Sequence, residues 1–110
     1  MGRFVKGDIV VVPFPFSDLS GAKKRPALVL AELKGSDLIL CQITSQHTRD
    51  DYSIELTDKD VTNGKLKTSS NIRPNKIFTT DESIIIYKAG NLNEVKMTTV
   101  TKKVVDILKA

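Results

Sequence analysis

Five side chains in this 110-residue chain are of the types that handle phosphate: Arg25, Thr44, Gln46, Arg73 and Asn75. A guanidinium presents a planar fork that matches two phosphoryl oxygens. A threonine hydroxyl can donate a hydrogen bond to the same group. Such a set can run phosphodiester cleavage on RNA without a metal, because the ribose 2′-hydroxyl is itself a nucleophile placed beside the phosphate. The protein must then align that hydroxyl, help move protons and stabilise charge growing on the phosphoryl oxygens. Proton transfer is the demanding part. A guanidinium stays protonated at ordinary pH, so Arg25 serves as a base only in a strongly desolvated pocket or beside another cation. His47 is the one side chain whose intrinsic pKa suits the task. It stands three residues past Thr44, on the opposite face if the strand continues that far.

Taken singly, each residue also has an ordinary structural explanation. Lys23-Lys24-Arg25 is the composition of a solvated loop, Thr44 suits any strand, and Arg73 ahead of Pro74 suits a strand end. Other chemistries find less support. One His and one Cys exclude the common zinc sets within a single chain. Asp50-Asp51, Asp58 with Asp60, and Asp81-Glu82 read as turn and capping carboxylates rather than magnesium ligands. The glycines are scattered, with no phosphate loop, and neither Ser-x-x-Lys nor Gly-x-Ser-x-Gly occurs. No metal and no cofactor are expected.

The elements that must position these residues centre on Lys6 to Leu30. Two aliphatic runs, Ile9–Val12 and Ala27–Leu30, flank a polar loop that ends in Lys23, Lys24 and Arg25. Pro26 restricts Arg25 to extended backbone, so the guanidinium projects from a stiff strand entrance. A third strand is expected over Leu38–Gln46, with Gln42, Thr44 and Gln46 on one face. A short fourth follows over Tyr52–Leu56, and Thr57–Gly64 reads as a turn or one helical turn. A fifth runs from Leu66 to Ile72, stopped by Pro74, with Lys76–Thr80 extended beyond it. A sixth covers Ser83–Tyr87. Met97, Val100, Val104, Ile107 and Leu108 recur at helical spacing, predicting a helix over Thr98–Lys109 capped by Asn93 or Thr98. Five or six short strands and one helix imply a strongly bent sheet or partly open barrel with the helix packed on it.

Composition sets outer limits. The 40% apolar and 27% charged content is that of a soluble globular protein, and a single domain over residues 1–110 is expected. No apolar run reaches membrane-spanning length and a lone cysteine forms no internal disulfide, so a cytoplasmic setting is expected. The formal charge of +4 mildly favours a polyanionic partner.

Gly7-Asp8-Ile9-Val10, Lys24-Arg25-Pro26-Ala27-Leu28-Val29-Leu30, Ile43-Thr44-Ser45-Gln46 and Ile72-Arg73-Pro74-Asn75-Lys76-Ile77-Phe78-Thr79, in that order, resemble the MazF/PemK family of toxin endoribonucleases. The resemblance covers nearly the whole chain. Arg-Pro-x-Leu-Val followed at this distance by Ile-Thr-Ser-Gln is its specific part. It implies a mainly β, small SH3-like, partly open barrel of five to seven strands with a C-terminal helix, working as a homodimer. It implies metal-independent cleavage of single-stranded mRNA at short sequences, leaving a 2′,3′-cyclic phosphate and a 5′-hydroxyl. It also implies a cognate antitoxin whose acidic or amphipathic tail covers the active groove.

Position by position, Arg25 matches the family's catalytic arginine and Thr44 its catalytic threonine or serine. Arg73 matches the arginine that serves as proton donor in the PemK branch. The aspartate which that branch carries two residues later is replaced here by Asn75, so either Arg25 and Thr44 carry the work, which is the favoured expectation, or another group such as His47 contributes. Phe16, Ser17, Lys23, Lys24, Gln46, His47 and Asn75 are the candidate substrate contacts, with Phe14 or Phe16 available to stack on a base. Packing of these phenylalanines beside Pro13 and Pro15 is the competing expectation. Two alternatives come from other classes: a gyrase-directed toxin of the same fold, opposed by the absence of tryptophan, and a non-catalytic nucleic-acid-binding barrel.

Overall fold

The runs Ile9–Val12 and Ala27–Val29 are buried on both faces, and that double burial decides the architecture. A sheet covered on one side only would alternate apolar with polar residues. The computed structural model describes residues 3–14, 23–46, 50–66 and 68–110. Seven antiparallel strands are present: β1 (Asp8–Phe14), β2 (Lys23–Glu32), β3 (Asp37–Thr44), β4 (Ile54–Leu56), β5 (Val61–Thr62), β6 (Ser70–Asp81) and β7 (Tyr87–Leu92). They lie in the order β4-β6-β3-β2-β1-β7-β5, and helix α1 (Glu94–Lys109) follows. One apolar cluster takes Ile9, Leu28, Ile43, Leu56, Ile72 and Leu92, with Val61 packed against it. Every strand from edge to edge therefore contributes to the same core, which requires the sheet to curl into a half-barrel. Met97 and Val100 of α1 join that core. The second face buries Val10, Val12, Ala27, Val29, Leu38 and Leu40 under Phe4 and Ile85. This is the partly open barrel with a terminal helix that was expected.

Cys41 lies in the first core with no exposed surface, and burial pushes its thiol up to about 12. No helix of the described residues is long and apolar enough to cross a membrane.

Three local expectations are corrected. Pro74 does not stop a strand: β6 runs through it. The β3 register passes from Cys41 opposite Ile77 to Gln42 opposite Arg73, so residues 74–76 form a bulge where no proline N–H is needed. The Ser83–Tyr87 strand is replaced by a 3-10 turn over Glu82–Ile84, and pairing resumes only at Tyr87. The Asp81 carboxylate accepts from the Ser83 amide at 2.8 Å and caps that turn, overriding the β propensity of the isoleucines. Only Ile85 is buried there; Ile84 and Ile86 are 46% and 44% exposed. The helix starts earlier than Thr98, at Glu94, because the Asn93 side chain accepts from the Lys96 amide at 2.8 Å. Thr98, Thr99 and Thr101, weak helix formers, hydrogen-bond back to the carbonyls of Glu94, Val95 and Met97.

The short β5 edge is seated by backbone contact. A Cβ placed on Gly64 would lie 1.9 Å from the Ala89 carbonyl oxygen, a main-chain atom of β7 that cannot swing aside. Gly64→Ala is expected to cost about 1–3 kcal/mol, the range for overpacking. A urea midpoint equal to the wild type's would show that this contact is not maintained in solution.

Candidate active site

Strand register brings the phosphate-type residues together. Val12 stands opposite Arg25 across β1 and β2, so Arg25 shares the face of the second core. Ala27 pairs with Gln42 across β2 and β3. Arg25 and Thr44 lie two residues beyond that last pair, on the same face of their strands. Across β3 and β6, Thr44 pairs with Asn71 and Gln42 with Arg73. One face thus carries the row Ala27–Gln42–Arg73 and, beside it, the pair Thr44–Asn71 with Arg25 at its β2 side. The paired residues Thr44 and Asn71 hold their Cβ atoms about 4.5–5.5 Å apart, and Arg25 stands at the β2 end of the same face. Arg25 and Thr44 are half-buried at the rim of the second core, where a low dielectric strengthens any charge-assisted hydrogen bond.

The Thr44 hydroxyl oxygen accepts from the Gln46 amide at 3.1 Å. Its proton therefore remains available to donate. Asn71 Nδ2 donates to the Gln46 carbonyl at 3.2 Å, pinning the chain just past β3. The Arg73 residue is only 9% exposed, and its Nη2 meets Asp50 Oδ2 at 2.7 Å. Among the described residues its buried Nε has no hydrogen-bond partner. Asp50 is held below the ordinary carboxylate value chiefly by the Ser53 amide, with help from Tyr52, the Ser53 hydroxyl and Arg73.

Not every candidate joins this group. Asn75 is exposed in the β6 bulge, outside the ladder, and the carboxylate beside Arg73 comes from Asp50 instead. The Gln46 and Lys23 side chains are exposed at the margin. Lys24 follows the other face of β2 into a groove of about 480 Å³, lined also by Pro26, Ser45, Lys65, Tyr87 and Lys88. Phe16, Ser17 and His47 lie outside the described residues, and the Phe14 side chain does too. Sequence reasoning missed Asp50, Gln42 and Asn71. For Gln42 and Asn71 a signal existed, since polar residues inside otherwise apolar strands call for a reason. For Asp50 none did: its partner is 23 positions away and is met only through the fold. Among the described residues no group of three or more His, Cys, Asp or Glu side chains could hold a metal.

Comparison with known proteins adds to this geometry. Residues 5–108 match the family model of the PemK-like, MazF-like toxin of type II toxin–antitoxin systems. No curated protein matches. Among solved structures, the fold is similar to a MazE–MazF complex from Deinococcus radiodurans, at TM-score 0.76 and 19% identity over 96% of each chain. It is also similar to an endoribonuclease in complex with its cognate antitoxin from a mycobacterial species, at TM-score 0.75 and 13% identity over 97% of this chain and 96% of that one. The Mycobacterium tuberculosis toxin MazF-mt6 gives TM-score 0.73 at 13% identity, over 93% and 96% of the two chains. At these identities the structural likeness establishes a common fold.

Proposed function

The chain belongs to the PemK-like, MazF-like toxins of type II toxin–antitoxin systems, and from that membership we propose that it is a metal-independent endoribonuclease acting on single-stranded mRNA. The observation that supports this most is the register that gathers Arg25, Thr44 and Arg73 onto one sheet face. In this reading the ribose 2′-hydroxyl attacks the adjacent phosphorus and the bond to the 5′-oxygen of the next nucleotide breaks. The products are a 2′,3′-cyclic phosphate and a 5′-hydroxyl. The Arg25 guanidinium binds two phosphoryl oxygens and gains most when charge accumulates on them. The Thr44 proton donates to the same phosphate, and Arg73 supplies a second cation from the neighbouring row. Lys23, Lys24, Gln46, Asn75, Phe16, Ser17 and His47 are proposed to contact the flanking nucleotides. The protein works as a homodimer in the cytoplasm, and a cognate antitoxin holds it inactive by covering the groove.

Incubating purified protein with a single-stranded RNA in EDTA tests this. Cutting that persists in EDTA and spares a fully paired RNA is expected. A requirement for magnesium, or binding without cutting, would point to a different enzyme or to a nucleic-acid-binding barrel.

The lysine groove lets the strand's phosphates be neutralised beyond the reacting one. Lys65→Ala is expected to weaken RNA binding for all sequences alike. It should also make the slope of log affinity against log salt shallower by about 0.7, one single-strand phosphate contact. An unchanged slope from titrations at several salt concentrations would remove Lys65 from the RNA path.

A further inference from the structure

Asp50 begins the segment that leads into β4, and its two carboxylate oxygens are used differently. Oδ1 accepts three hydrogen bonds, from the Tyr52 amide at 3.0 Å, the Ser53 amide at 2.8 Å and the Ser53 hydroxyl at 3.0 Å. That turn saturates one oxygen and fixes the plane of the carboxylate. Oδ2 is left for Arg73 Nη2 at 2.7 Å, a short charge-assisted contact. Arg73 in turn is nine-tenths buried, stands opposite Gln42 and lies one row from Thr44 and Asn71. A guanidinium has five donors, and the buried Nε is left without an acceptor among the described residues. Burying a guanidinium with one donor unmet carries a cost in stability. An ion pair serving stability alone gives no reason for that orphan.

We infer that Asp50 is a positioning residue: anchored through Oδ1 by its own turn, it grips Arg73 through Oδ2 and holds the charge of the guanidinium beside Thr44, where the RNA phosphate binds. The inference rests on the phosphodiester chemistry proposed above. Nothing about Asp50 touches the substrate in this account; its effect passes entirely through Arg73.

Asp50→Asn separates the two oxygens' roles, because the amide keeps an acceptor for the turn and turns a donor toward Arg73. Single-turnover and steady-state cleavage of one RNA in EDTA are measured for wild type, Asp50→Asn, Arg73→Gln and the double variant, with thermal midpoints alongside. Asp50→Asn is expected to lower kcat about 10–100-fold with KM within about twofold, the scale of a misplaced catalytic group. In the Arg73→Gln background the same change is expected to alter kcat less than twofold, since the pair acts as a unit. A stability role alone would lower the midpoint and leave kcat of the folded protein intact. Full kcat in Asp50→Asn, or equal losses in both backgrounds, overturns the inference while leaving RNA cleavage in place. A wild-type protein that cuts no RNA overturns the functional reading and this inference with it. If Asp50→Asn does not fold, Asp50→Glu, which keeps the charge but shifts it by one methylene, is expected to show a smaller kcat loss with the same dependence on Arg73; wild-type kcat there overturns the inference.

Discussion

Arg25→Ala is expected to reduce RNA cleavage about 1000-fold while the protein stays folded. The guanidinium stands on the same sheet face as Thr44, and Pro26 holds its backbone extended on β2. A cation aimed at charge that grows in the transition state is worth roughly three powers of ten, or about 4 kcal/mol of barrier. Thr44→Ala removes a single neutral hydrogen bond and is expected to lose only about 10-fold. Arg25 is half-buried at the rim rather than in the core, so truncation leaves no large cavity. Single-turnover rates with excess enzyme decide the ranking. Cleavage undiminished in Arg25→Ala, or equal losses in the two variants, would contradict the assigned roles.

The largest expected effect on stability lies elsewhere, at Asp8. This carboxylate is 1% exposed at the start of β1. Its Oδ2 accepts from the Val5 amide at 2.9 Å, while Oδ1 accepts from Asn91 Nδ2 at 2.6 Å and lies 3.3 Å from Lys88 Nζ. One side chain thus ties the N-terminal turn to both β1 and β7. Gly7 supports the same turn with a φ of +95°, a conformation that favours glycine. Asp8→Ala strands two donors in a buried site and leaves Lys88 without its counterion. A loss of about 3 kcal/mol follows from the usual cost of breaking a buried charged network. That is a large share of the 5–15 kcal/mol typical of a whole domain. Urea denaturation measures it directly, and an unchanged midpoint would mean that the N-terminal turn contributes nothing to β1 and β7.

Much of the fold is legible in the chain because burial on both faces writes continuous aliphatic runs. Ile9–Val12, Ala27–Leu30 and the start of β3 are found that way. Where a single side chain settles the local structure, pattern fails. Asp81 converts the apolar Ser83–Tyr87 run into a turn, and a bulge carries β6 through Pro74, whereas Asn93, one of the two expected caps, does start the helix. The site shows the same division. Arg25 and Thr44 are recognisable by type and spacing, and β-sheet register then sets them on one face. The Asp50–Arg73 pair is invisible in sequence, since nothing local links two residues so far apart. Asn75 drew attention through its place in a motif, yet the bulge leaves it outside the ladder.

The central claim is that Arg25 and Thr44 polarise a backbone phosphate so that the neighbouring 2′-hydroxyl displaces the chain. Mass spectrometry of the RNA fragments made by the purified protein in EDTA measures the outcome of that step. A 2′,3′-cyclic phosphate on one fragment and a 5′-hydroxyl on the other is the predicted result. Fragments carrying a 5′-phosphate and a free 3′-hydroxyl would show that water or another nucleophile made the cut, and would contradict the account.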